Sequence, residues 1–251
     1  MARVVRGAVK LVLQRDRALV ATALVLIAAL SWATLARLAF DMSWMVPGAS
    51  RWDARYFCAM FLMWAVMMVA MMLPSAAPVI LLFAALERQA RLRGTALFTA
   101  GYLVCWTAFS LIATLAQWAL NNAGQLASPM AIRATPAVGA LLLVAAGVYQ
   151  LTPPKHACLT RCRSPAAFLV ERWRPGRSGA FLMGLDHGAY CVACCWAIMA
   201  LLFAVGAMNL LWVAALAAFV LAEKVAPAGA LIARLGAVAM IGAGALLLWS
   251  S

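Results

Sequence analysis

Apolar runs long enough to cross a bilayer decide what this chain can become. Seven apolar segments follow one another at about 18–39, 57–86, 95–120, 135–151, 179–205, 208–223 and 226–249. In lipid every backbone N–H and C=O must find a partner within its own segment, so segments of this length form helices. The expected fold is all-α, a polytopic transmembrane helical bundle of six to seven spans. The sixth segment is short, and a re-entrant or broken hairpin with the fifth would lower the count to six. With 67% of its 251 residues hydrophobic and 11% charged, the chain has little material for a separate domain. It reads as a basic segment, 1–17, followed by one membrane domain, 18–251. The apolar core of the first segment, Ala18–Phe40, is too long for a signal peptide, so it is expected to stay as an anchor.

The net charge of +13 is unevenly placed. Arg3, Arg6, Lys10, Arg15 and Arg17 precede the first segment, and Arg88, Arg91 and Arg93 join the second to the third. Lys155, Arg161, Arg163, Arg172, Arg174 and Arg177 lie between the fourth and fifth, in a loop at 152–178. With the N-terminus cytoplasmic, all these groups face inward, and only Arg51, Arg55 and Arg133 occupy the outer loops. This is the positive-inside bias. The charge therefore orients the chain against anionic headgroups rather than nucleic acid, and the lipid bilayer is its first partner.

One span carries unusual chemistry. Asp186, His187, Cys191, Cys194 and Cys195 all fall within the fifth segment. On a helix His187, Cys191, Cys194 and Cys195 stand at i, i+4, i+7 and i+8 and share a face. Imidazole and thiolates on one face suit a soft metal, with Cu(I) first and Zn(II) as the alternative. Haem is disfavoured, because the chain has only two histidines, His156 and His187. Asp186 needs a partner at such depth; Arg234 is the first candidate and Lys224, beside Glu223, the second. The four form either a structural ion pair or a charge relay towards the thiols.

The second segment holds six of the 14 methionines between Met60 and Met72. Met60, Met63, Met67 and Met71 form a stripe, which reads either as flexible packing or as a thioether surface for Cu(I). Pro74 and Pro78 are expected to kink or break this helix. At 1.5 Å per residue, Cys191 to Cys195 lie about 16–22 Å from the inner start of their span and Met63 to Met71 about 9–21 Å from the outer start of theirs. The two sulfur sets are therefore expected to meet, with Met63, Met67, Met71, Cys191, Cys194, Cys195 and His187 as metal ligands. The basic loop offers a second set, His156, Cys158 and Cys162, whose alternative reading is a membrane-surface loop with incidental thiols. The outer loop from Asp41 to Arg55, rich in Trp and Met (Met42, Trp44, Met45, Trp52), reads as interfacial anchoring or a thioether site. Trp64-Ala65-Val66-Met67 faintly echoes Trp196-Ala197-Ile198-Met199, as an inverted repeat would.

The pattern G-x-x-H-G-x-Y-C-x-x-C-C-W-x-x-M from Gly184 to Met199, with Met208-Asn209-Leu210 and Glu223-Lys224, resembles a bacterial membrane family, DUF2182. The resemblance extends to Trp64, Met67-Met68, Met71-Met72, Pro74, Leu151-Thr152-Pro153, Lys155, Cys158 and Cys162. That family's description, a predicted metal-binding integral membrane protein, implies a bacterial inner-membrane location and a metal ligand. A protein that binds or moves a soft metal is the expectation, with a metallochaperone or another membrane subunit as partner. No catalytic constellation is legible, so binding is expected rather than catalysis. Two alternatives stay open: a non-catalytic subunit of a larger membrane complex, and a thiol–disulfide redox protein using Cys191 and Cys194.

Overall fold

The computed structural model describes residues 2–41, 52–87, 91–128 and 132–250. The helices are α1 (Ala2–Phe40), α2 (Ala54–Leu86), α3 (Arg91–Asn122), α4 (Pro136–Gln150), α5 (Pro153–Arg163), α6 (Pro165–Arg172), α7 (Gly176–Ala200), α8 (Leu202–Val205), α9 (Leu210–Val225) and α10 (Gly229–Ser250). Two short antiparallel strands, β1 (Leu126–Ser128) and β2 (Arg133–Ala134), join α3 to α4. The all-α expectation holds. Met42, Trp44 and Met45 of the outer loop lie outside the described residues; Trp52 stands edge-on to Tyr56 at 4.9 Å.

Among the described residues, five stretches are long and apolar enough to cross a membrane: Arg17–Phe40, Ala54–Leu86, Leu92–Asn122, Gly176–Val205 and Gly229–Ser250. A sixth exists if α4 and α5, bent by 67° at their junction, count as one. The sixth apolar segment is the continuous helix α9, set off from α7 by α8 and by Gly206, whose φ of 93° needs a residue without Cβ. Asn209 caps its start, accepting from the Trp212 N–H at 3.5 Å.

Local sequence explains most boundaries. Asp53 caps α2 by accepting from the Tyr56 N–H at 2.7 Å. Thr135-Pro136, Thr152-Pro153 and Ser164-Pro165 each place proline in the first turn of a helix, where its missing donor costs nothing. The expected break at Pro74 and Pro78 does not occur: α2 runs without interruption through both. In that stretch Ser75 and Tyr102 hydroxyls both donate to the Met72 carbonyl, at 2.8 and 3.0 Å. The loop expected at 152–178 is instead two helices, α5 and α6, and a turn.

Packing follows small residues. α3 lies along α7, and a Cβ on Gly184 would stand 2.0 Å from the Phe98 carbonyl oxygen, one on Gly101 2.2 Å from that of Phe181. Close backbone approach of this kind is how helices associate where burial of apolar surface gives no drive. α4 and α10 repeat the device with Gly147 and Gly244, whereas a Cβ on Gly139 has ordinary room at 3.6 Å. α2, packed between α1 and α3, carries the largest share of the core, including Trp64 and all six methionines.

Hydrogen bonds fix the levels along the bundle. Tyr149, at the end of α4, donates to the Ala193 carbonyl at 2.6 Å. Lys155, at the start of α5, donates to the Cys194 carbonyl at 2.7 Å and pairs with Glu223, near the end of α9, at 2.9 Å. The basic-side ends of α4 and α9 therefore meet the middle of α7. Beyond that level α5 and α6 fold back along the first half of α7, where Phe168 packs on His187 and Tyr190. α2 and α3, of 33 and 32 residues, are about 50 and 48 Å long against a hydrocarbon thickness of about 30 Å. Their surplus reaches the same layer, where Phe83 stacks on Phe98 at 4.8 Å and packs on Trp173 at 5.8 Å.

This layer corrects two expectations. Asp186 pairs with neither Arg234 nor Lys224. It faces Arg174 at 3.2 Å and Arg172 at 3.9 Å with 29% of its side chain exposed, while Arg234 lies exposed on α10. Depth arithmetic assumed lipid from the first turn of the fifth segment, whereas α5 and α6 clothe that half. The two tryptophans of the faint echo between spans differ in burial: Trp64 is fully buried and Trp196 is 44% exposed.

Candidate metal centre

Cys191, Cys194 and Cys195 face inward from α7 and are at most 1% exposed. Cys194 Sγ is 3.2 Å from Cys195 Sγ and 3.8 Å from Cys162 Sγ. It also donates to the Cys191 carbonyl at 3.2 Å. Cys194 thus joins Cys162 and Cys195 through sulfur and Cys191 through its carbonyl, and the four buried thiols lie together as a cluster. Cys162 reaches it because Lys155, Leu159 and Cys162 repeat at i, i+4 and i+7 on α5 and form its buried face.

The polar lining is equally buried. Lys224 Nζ stands 2.9 Å from Cys191 Sγ and donates to Ser75 Oγ at 3.0 Å. Tyr102 Oη lies 3.2 Å from the same sulfur. Glu223 takes the other direction: it pairs with Lys155, both fully buried, and accepts from Gln150. The adjacent Glu223 and Lys224 therefore do not pair with each other; one locks α5 to α9, and the other faces the thiols.

His187 shares the face of Cys191 but not its contacts. Its ring sits among Phe168, Tyr102 and Phe98, at centroid distances of 5.1, 5.8 and 6.3 Å, and its Nδ1 has no hydrogen-bond partner. The second ligand set does not assemble as one site. Cys162 turns into the main cluster, while His156 and Cys158 stay partly exposed on the other turns of α5. Among the described residues no group of three or more histidine, cysteine or acidic side chains forms a ready cage for a metal ion. The thiols touch each other instead.

Met60, Met63, Met67, Met68, Met71 and Met72 are all buried. Gln117 Nε2 donates to Met60 Sδ at 3.3 Å and its oxygen accepts from Trp64 at 2.9 Å. At the other end Tyr102 ties Met72 to Cys191. The stripe thus meets the lining of the cluster at its Met72 end. Met67 and Met63 lie about 8 and 14 Å further out than Met72. α2 and α7 share α3 and α9 as neighbours, and α2 touches the cluster's lining through Ser75 and the Met72 carbonyl.

Sequence reading missed Lys155, Tyr102 and Ser75 as parts of this site and placed Cys162 in the wrong group. For α5 the signal was present in the i, i+4, i+7 spacing behind Thr152-Pro153. Tyr102 and Ser75 carry no such signal, because only the crossing of α2, α3, α7 and α9 brings them to Cys191.

No curated protein and no solved structure matches the chain. Residues 61–247, which hold every element of the centre, match the family model described as copper chaperone, PpoB2. The chain is a member of that copper-chaperone family.

Proposed function

We propose that the protein is a membrane-embedded carrier that holds Cu(I) on Cys191, Cys194, Cys195 and Cys162 and passes it on. The observation that carries this reading is four buried thiols side by side, Cys194 against Cys162 and Cys195, with the Lys224 ammonium on Cys191. Thiolates are the soft donors that select Cu(I), and Cu(I) is satisfied by two or three of them. A Cu(I) bis-thiolate has one net negative charge, costly to bury alone, and Lys224 offsets it. To bind the metal the thiols must exchange their mutual contacts for bonds to it. His187, its Nδ1 unpartnered one turn away, is a further donor on the same face.

The five apolar stretches and the arginine-rich layer support a location in the bacterial inner membrane, with that layer cytoplasmic. The buried thioethers from Met60 to Met72 then form a lane from the outer end of the bundle to Tyr102 and Cys191. Methionine binds Cu(I) without losing a proton, which suits transit more than storage. Four thiols are also a ligand set that zinc accepts; membership of a copper-chaperone family is what favours Cu(I) over Zn(II).

X-ray absorption at the copper edge tests the reading. Protein loaded anaerobically is expected to show Cu(I) in a sulfur shell, and the Cys191→Ser, Cys194→Ser double variant to lose it. A shell dominated by nitrogen or oxygen would count against the thiol centre. A thiol–disulfide function has one observation behind it, the 3.8 Å between Cys162 and Cys194 sulfurs. It requires the free-thiol count to change between reduced and oxidised samples.

A further inference from the structure

The cluster is sealed on almost every side. Cys191, Cys194 and Cys195 are at most 1% exposed, so no outside thiol or chelator reaches them directly. The cover is α5, and its other two sulfurs lie on a gradient of exposure. Cys162, 3.8 Å from Cys194, is 9% exposed, and Cys158, one helical turn back, is more open still and packs on the edge of the core. Side chains at i and i+4 of a helix are neighbours, with Cβ atoms about 5–6 Å apart.

Two pins, one buried and one half-buried, bracket these thiols. Lys155 fixes the start of α5 to Glu223 and to the Cys194 carbonyl. Arg163 fixes its end, donating to the carbonyls of Glu223, Ala226 and Pro227 at the close of α9. Gly229 leaves room for that guanidinium, since a Cβ there would overlap it. Because α5 is fastened at both ends, a route through it runs along its side chains and needs no opening of a lid.

We infer that Cys158 is the exchange port of the copper centre, the thiol through which Cu(I) passes between Cys162 and a copper-binding partner. The inference rests on the carrier reading above. At each hop one Cu–S bond forms as another breaks. The incoming thiol gives up its proton and the vacated thiolate takes one, so the metal stays Cu(I) and no electron moves. The receiving group is a thiolate or another soft donor on the partner. The rim it meets carries Arg161, Arg172 and Arg174, about two-fifths exposed, which favours an anionic face.

The test is the rate at which copper leaves. Full-length protein is loaded anaerobically with Cu(I) and mixed with excess bathocuproine disulfonate, and the first-order release constant is read from absorbance. Cys158→Ser is expected to slow release by about tenfold or more, since an intramolecular relay is replaced by a direct encounter. Cys158→Met, which keeps a soft donor, should recover part of the rate. Cys58→Ser, at the opposite end of the bundle, serves as the unchanged control. Should Cys158→Ser fold poorly, alkylating Cys158 in loaded Cys58→Ser protein must slow release to the same extent. Release at the unmodified rate in either experiment overturns the port and leaves the carrier reading standing. Wild-type protein that takes up no Cu(I) at all overturns both.

Discussion

At the scale of single residues, Lys224 and Lys155 do different work although both are buried lysines. Lys224 answers a sulfur: its ammonium sits 2.9 Å from Cys191 Sγ and is steadied by Ser75. Groups that orient and neutralise metal ligands typically cost about 10–100-fold in affinity when removed. Lys224→Met is therefore expected to weaken Cu(I) binding by about that factor, measured by competition against a calibrated chelator. An unchanged affinity would show that the lysine serves packing alone. Lys155 answers a carboxylate. Removing it leaves Glu223 buried without its charge partner, a loss of about 3–5 kcal/mol. Lys155→Ala should lower the thermal unfolding midpoint sharply, and Lys155→Met combined with Glu223→Leu should recover much of it. If the double variant is no better than the single, the pair is not what holds α5 to α9. The sequence shows Glu223 and Lys224 only as neighbours; a helix points adjacent side chains about 100° apart, here towards different partners.

At the scale of elements, the crossing of α3 and α7 sets the site, because it brings Tyr102 to Cys191. Gly101 and Gly184 permit that approach. Gly184→Ala must push the helices apart, and overpacking of this kind costs about 1–3 kcal/mol. Gly184→Ala should therefore lower both the unfolding temperature and copper affinity, while Gly139→Ala, with room for its methyl, should change neither. Equal behaviour of the two variants would refute the role of the crossing. Helix positions were largely legible from the apolar segments, since length and hydropathy alone dictate them. The layer of α5 and α6 was not. Its mean composition is polar and basic, so 152–178 reads as a loop until the Pro starts at 153 and 165 are taken with the buried face Lys155, Leu159 and Cys162. The prolines of α2 misled in the opposite direction: the helix is broken at neither.

At the scale of the whole molecule, the chain divides into an apolar bundle and a basic layer, and the thiols lie where the two meet. Counting residues from the start of the fifth segment put them deeper, because hydropathy cannot tell a turn clothed by protein from one clothed by lipid. That position puts the thiols one helix away from the basic surface. Alkaline phosphatase fused after Ser250 should be active, and the same enzyme fused after Arg172 silent, if the basic layer is cytoplasmic. The reverse pattern would invert the protein.

The most direct test of the copper centre is metal stoichiometry. Protein purified anaerobically, incubated with Cu(I) and desalted should retain copper in a fixed ratio to protein. The Cys162, Cys191, Cys194 and Cys195 to Ser variant, shown to be folded, should retain none at that centre. Equal copper in both proteins would contradict the account.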